Sequence, residues 1–150
     1  MYTDVMIPVY IRPDATLWTV AQTIDHQVRL AYISPTGDSL FAEVALRVEP
    51  YPTDQHNYFT SLVNTHAVAY FGDPDEWIHG VIDGVTYFLN ERADQGQPIV
   101  GMGVALLALR EHPNDSTRSG FVRAALRAMR EICTMEGALV RVGVAKSQPT

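Results

Sequence analysis

His112-Pro113-Asn114-Asp115-Ser116-Thr117 stands between two segments of opposite character. Before it runs Val100-Gly101-Met102-Gly103-Val104-Ala105-Leu106-Leu107-Ala108-Leu109, an unbroken apolar stretch that reads as part of a buried strand over 99–109. After it, Phe121, Ala125, Ala128, Met129 and Ile132 recur at helical spacing, so a helix is expected over 116–136 with Gly137 as its stop. Asp115 and Ser116 are the expected caps of that helix, because its first N–H groups need acceptors. Arg123, Arg127 and Arg130 fall on the face opposite the apolar stripe.

Working outward, the residues before this strand give a second helix, 73–94. Asp73 can cap it, Pro74 suits its first position, and Glu76 sits where a capping box needs it. Trp77, Val81, Val85 and Phe88 follow at helical spacing. Gly80 and Gly84 each cost about 1 kcal/mol of helix propensity, and their i,i+4 spacing suggests close approach to the sheet. Upstream, Val44, Leu46 and Val48 alternate with polar neighbours as in a half-buried strand, ended by Pro50-Tyr51-Pro52. Strands are also expected over Val5–Ile11, Val28–Ile33 and Leu139–Val144. Residues 15–26 stay open, since Leu17, Val20, Ala21 and Ile24 have helical spacing while Thr16, Trp18, Thr19 and Thr23 favour strand. Ser34-Pro35-Thr36-Gly37-Asp38 is a turn and Ser147–Thr150 a frayed end. The expectation is a two-layer α+β sandwich, a mixed sheet of about four strands with two helices on one face.

A chain of 150 residues that is 47% hydrophobic fits one domain, 1–150, able to bury a core. No run approaches the ~20 apolar residues of a membrane span, and the N-terminus lacks a signal-peptide pattern. With the single Cys133, a reducing cytoplasmic setting is expected. The starting Met1 and irregular tips favour a complete small protein. The net charge of −6 is uneven: residues 1–109 hold 4 basic and 13 acidic side chains, residues 110–150 hold 7 and 4. One end alone could therefore meet phosphate.

Several chemistries are disfavoured. There is no G-x-x-x-x-G-K-[ST] loop for nucleotide hydrolysis. His26, His56, His66 and His79 are scattered without metal-ligand spacing, so neither a metal nor a cofactor is expected. His112, Asp115 and Ser116 crowd one turn and cannot adopt nucleophile–base–orienter geometry. Gly101-Met102-Gly103 lies in a strand rather than a phosphate loop. Cys133 reads as core. An enzyme is not expected.

Four pieces in order resemble domain IV of bacterial elongation factor G, a ribosomal-protein-S5-domain-2-like fold. The family's "x-V-x-L-x-V-E-P" is matched by Glu43-Val44-Ala45-Leu46-Arg47-Val48-Glu49-Pro50, although the glycine-rich loop before it keeps only Gly37. Its helix "Y-I-x-A-V-x-x-G" resembles Trp77-Ile78-His79-Gly80-Val81-Ile82-Asp83-Gly84. Its strand "G-x-P-V-x-x-V-x-V-x-L" resembles Gly96 to Leu106, and its tip "H-x-V-D-S-S" resembles His112 to Thr117. The resemblance implies a non-catalytic module that reaches the ribosome, with small-subunit ribosomal RNA, transfer RNA or a translation factor as partner. It places RNA contacts at Gly37, His112, Asn114 and Arg118, with Arg123, Arg127 and Arg130 facing phosphates. A bland reading stays open beside it: a solvated turn, a solvated helix face, and a repurposed interaction or homo-oligomerisation domain.

Overall fold

Ser39–Pro50 (β4) is the axis on which the chain is built. Ala42, Val44, Leu46 and Val48 are fully buried, while Arg47 on the other face reaches solvent. That alternation is the period-two pattern of a strand with one packed face. The computed structural model describes residues 2–33, 35–37, 39–51, 55–67 and 69–146. Ser34, Asp38, Pro52 and the expected frayed end 147–150 lie outside the described residues.

In chain order the elements are β1 (Val5–Ile7), β2 (Thr16–Val20), β3 (Ile24–Ile33), β4, β5 (Asn57–Ser61), α1 (Pro74–Asp94), β6 (Met102–Arg110), α2 (Arg118–Cys133) and β7 (Leu139–Val144). Five strands form one mixed sheet in the order β1-β5-β6-β4-β3, and β2 pairs with β7 as a separate ribbon. β4 pairs antiparallel with β3 and β6; its register with β6 shifts between Ala45 and Leu46, where Leu107 of β6 is the extra residue. β5 runs parallel to β6, and α1 supplies the crossover that a parallel pair requires. Both helices share one hydrophobic core with Ala42, Val44, Leu46 and Val48. The fold class expected above is the one observed, with five strands in the main sheet rather than four.

Several boundaries differ for identifiable reasons. The open segment 15–26 holds β2 and the start of β3, so the β-branched residues outweigh the helical spacing. β1 stops at Ile7 instead of Ile11, directly before Pro8, which has no N–H to give a ladder. β6 starts at Met102 rather than 99, because Val100 donates to the Trp18 carbonyl and ties the ribbon to the sheet instead. Gly101 then turns the chain at φ +63°. α2 begins at Arg118, capped by the Thr117 hydroxyl accepting from the Gly120 N–H at 3.1 Å. Asp115 and Ser116 are therefore not its caps. β5 carries no clear signal in sequence. It is secured by the buried Asn57 amide, which donates to the Ile99 carbonyl at 2.7 Å and accepts from the Met102 N–H at 3.0 Å.

Gly80 and Gly84 do mark a close approach, but to α2 and not to the sheet. A Cβ at Gly84 would stand 2.5 Å from the Val122 carbonyl oxygen, and one at Gly80 would stand 2.7 Å from that of Arg118. The two bare backbones let the helices meet along their length.

Candidate functional site at the tip

Strand directions gather three connections at one end. β4 begins there at Ser39 and β3 ends there at Ile33. β6 runs antiparallel to β4 and reaches the same end at Arg110. β5 is parallel to β6, so the loop after Ser61 emerges there too. The tip therefore comprises the turn after Ile33, the loop 62–73 and the loop 111–117, with both helix N-termini behind them.

The 111–117 loop is fastened to the start of β4. The Ser39 hydroxyl donates to Asp115 Oδ1 at 2.7 Å, and the Phe41 N–H donates to the Asp115 carbonyl at 3.1 Å. Ser116 Oγ donates to the Phe41 carbonyl at 2.8 Å and accepts from the His112 N–H at 2.9 Å. Asp115 and Ser116 thus bind the two loops together rather than capping the helix.

His112 keeps 48% of its side chain exposed on this braced backbone. Its Nδ1 lies 3.3 Å from the Asn114 N–H and 3.1 Å from Asp115 Oδ2. A neutral ring with its proton on Nε2 accepts from Asn114; a ring protonated at Nδ1 donates to Asp115. Among the described residues nothing partners Nε2, so that edge faces outward in either state. Gly37 is exposed at φ +90°, and a Cβ there would meet nothing within 4 Å. Its conformation, rather than crowding, calls for glycine.

The arginines are less free than the sequence suggests. Arg118 pairs with Asp83 at 2.7 Å and Glu76 at 3.5 Å on α1, and Arg130 pairs with Glu91 at 2.9 Å. The Asp83 hydrogen bond raises the Arg118 pKa above its ordinary value. Arg123 donates to the Tyr32 hydroxyl at 2.6 Å and lies over that ring. Arg127 pairs with Glu131 at 3.2 Å, and Glu131 also takes His26 at 2.9 Å. The His26 hydrogen bond, then Arg127, lowers the Glu131 carboxyl below its ordinary range. All four guanidiniums have partners within the chain. His112, Asn114, Gly37 and Arg118 share the tip; Arg123 reaches Tyr32 beside it, and Arg127 and Arg130 lie further along α2.

Two residues at the tip carry no sequence motif. Glu111, next to His112, accepts from the backbone N–H groups of Phe71 and Gly72 and from the Trp77 indole at 2.6 Å. The Trp77 ring packs under Gly72 and lies 5.1 Å from Phe121. Burial, then the Glu111 charge, raises the Tyr70 phenol. Phe71 itself is 78% exposed. The aromatic in Phe71-Gly72-Asp73-Pro74 was the available signal, but its exposure depends on Glu111, 40 residues later.

Among the described residues no three His, Cys, Asp or Glu side chains group as metal ligands. Burial pushes the Cys133 thiol up to about 11, which suppresses the thiolate a nucleophile needs. Among the described residues no helix is long and apolar enough to cross a membrane.

Comparison with known proteins agrees with this architecture. The family profile described as elongation factor G, domain IV, matches residues 19–135. Over 120 residues the chain is 32% identical to elongation factor G of Dinoroseobacter shibae and 30% identical to that of a Ruegeria species. Each match covers 78% of this chain and 16% of the relative, so the chain spans about one sixth of the relatives' length. A crystal structure of a protein from Thermus thermophilus superposes with a TM-score of 0.69 at 17% identity, covering 88% of this chain and 18% of the other. That likeness concerns the fold alone. The profile match and these identities together place the chain in the elongation factor G domain IV family.

Proposed function

We propose that this chain is a non-catalytic, translation-factor-like binding module that acts at the ribosome or on the translation machinery, in the cytoplasm, through its tip. The observation that carries the reading is the braced, half-exposed His112. Ser39, Phe41, Asp115 and Ser116 hold its loop in one conformation, and its outer edge is open. An imidazole held this way can stack on or hydrogen-bond an unpaired base with little ordering cost. Gly37 and Asn114 complete the RNA-facing side. Arg118, Arg123, Arg127 and Arg130 make a weaker contribution, since phosphate would have to displace carboxylates or Tyr32 already in place.

Sedimentation of the pure chain with purified ribosomes over a range of salt tests this reading. Co-sedimentation that weakens with salt, and that His112→Ala reduces, is expected. A chain that stays in the supernatant at every salt concentration contradicts it.

A second reading, a protein-interaction or self-association domain without RNA binding, is favoured by one observation. Arg118, Arg127 and Arg130 of α2 are each paired with a carboxylate of the chain, and Arg123 is bonded to the neutral Tyr32 hydroxyl, so little of the positive charge on α2 is left unpaired. Concentration-dependent association without ribosomes would support it.

A further inference from the structure

The loop 62–73 presents a contact that the RNA-facing side does not use. Phe71 exposes 78% of its surface, although an exposed phenylalanine is usually free to fold back on its own backbone. Here the backbone that carries it is held in place. The N–H groups of Phe71 and Gly72 both donate to the Glu111 carboxylate, which also binds the Trp77 indole. Gly72 sits against the Trp77 ring, where no Cβ fits. Trp77 is itself buried against Phe121. The backbone beneath the ring is clamped from two sides while the ring stands in water. On an ordered backbone only the ring's own rotamers remain to be fixed on binding, which suits an interface anchor.

The charges around it decide the partner. Asp73, Asp75 and Glu76 follow within five residues, and no basic residue lies between 67 and 76. Arg118 pairs with Glu76 and Asp83, so among the described residues Asp73 and Asp75 are the acids here that no ion pair offsets. Desolvation, then the charges of Asp75 and Asp73, raises the pKa of the Tyr2 phenol. A nucleic-acid backbone would meet this surface with like charge; a basic protein surface would meet it with opposite charge.

We infer that Phe71 is an anchor that inserts into an apolar socket on a basic protein of the ribosome, with Asp73 and Asp75 facing its positive rim. The inference rests on the ribosomal reading above and adds to it a protein contact beside the RNA-facing loops. The tip would then have two sides: Gly37 and His112 toward RNA, Phe71 and its acidic neighbours toward protein.

Purified small ribosomal subunits are the probe, titrated with the wild-type chain, Phe71→Ala and Asp75→Lys. In parallel, a photoreactive benzoylphenylalanine replaces Phe71 in the full chain. Thermal unfolding of each variant checks that the exposed substitutions leave the fold intact. Phe71→Ala is expected to weaken binding about tenfold or more, as interface anchors do. Asp75→Lys is expected to weaken it as well. The photoproduct should survive ribonuclease as an adduct to a basic ribosomal protein. If the wild type binds and Phe71→Ala binds within about twofold of it, the anchor is overturned and the ribosomal reading stands. If the adduct is on ribosomal RNA, the ring is a base platform and the protein contact is overturned. If the wild type does not bind at all, both readings fall together.

Discussion

Gly84 meets Val122 so closely that a single added methyl would stand 2.5 Å from the Val122 carbonyl oxygen. The contact is between two helix backbones, which cannot yield as a flexible side chain does. Arg118–Asp83 and Arg130–Glu91 pair across the same helix–helix contact toward its two ends. Arg118 and Arg130, two of the guanidiniums that looked available to phosphate, therefore also join α2 to α1.

Gly84→Ala follows directly as a test of that packing. Helix propensity alone would favour alanine by about 1 kcal/mol. Overpacking against Val122 and Ala125 should outweigh it, for a net loss of roughly 1–3 kcal/mol in urea denaturation. Gly96→Ala at a position with no close neighbour is no control, because Gly96 has a φ of +78°. A stabilised Gly84→Ala protein would show that the helices are further apart than described.

Cys133 gives a prediction at alkaline pH. Its folded-state pKa is raised, to about 11 from an ordinary 9, because burial disfavours the thiolate. The stability this contributes is fully present below pH 9 and is lost as the pH rises from there through about 11. The loss is on the order of 2–3 kcal/mol once the thiol is ionised in both states. Denaturation midpoints of the wild type and Cys133→Ala, compared at pH 8 and pH 11, isolate this part from the titrating tyrosines. Equal pH dependence in the two proteins contradicts a buried thiol.

The arginines give a prediction about salt. Replacing Arg123, Arg127 and Arg130 together by Gln would flatten the salt slope of ribosome binding by about three phosphate contacts if all three were free. With Tyr32, Glu131 and Glu91 already holding them, the slope should change by less than about one contact. Stability should fall by no more than about 1 kcal/mol per surface pair. A slope reduced by the full three contacts would show that RNA displaces these partners.

Legibility followed the range over which each residue's surroundings are decided. α1, α2 and β4 were readable because Trp77, Val81 and Val85, or Val44, Leu46 and Val48, carry their own periodicity. β2 was ambiguous because its partner β7 lies more than a hundred residues away, and only that pairing overrides the helical spacing of Leu17 and Val20. β5 depended on Asn57, a polar residue that becomes a core residue by bonding backbone groups beyond α1. The His112 loop was located correctly, but the roles within it were not. Asp115 and Ser116 spend their hydrogen bonds on Ser39 and Phe41, more than seventy residues earlier, leaving the cap to Thr117. No local pattern announces that Arg123 will find Tyr32 or that Glu111 will hold Phe71.

The most direct test of the central claim is competition for the ribosome between this chain and elongation factor G itself. A fluorescently labelled chain is bound to ribosomes, and unlabelled elongation factor G is added, either intact or lacking its domain IV. If this tip occupies the surface that domain IV uses, the intact factor displaces the label and the truncated factor does not. Label that remains bound at saturating intact factor would contradict the claim, as would displacement by the truncated factor equal to that by the intact one.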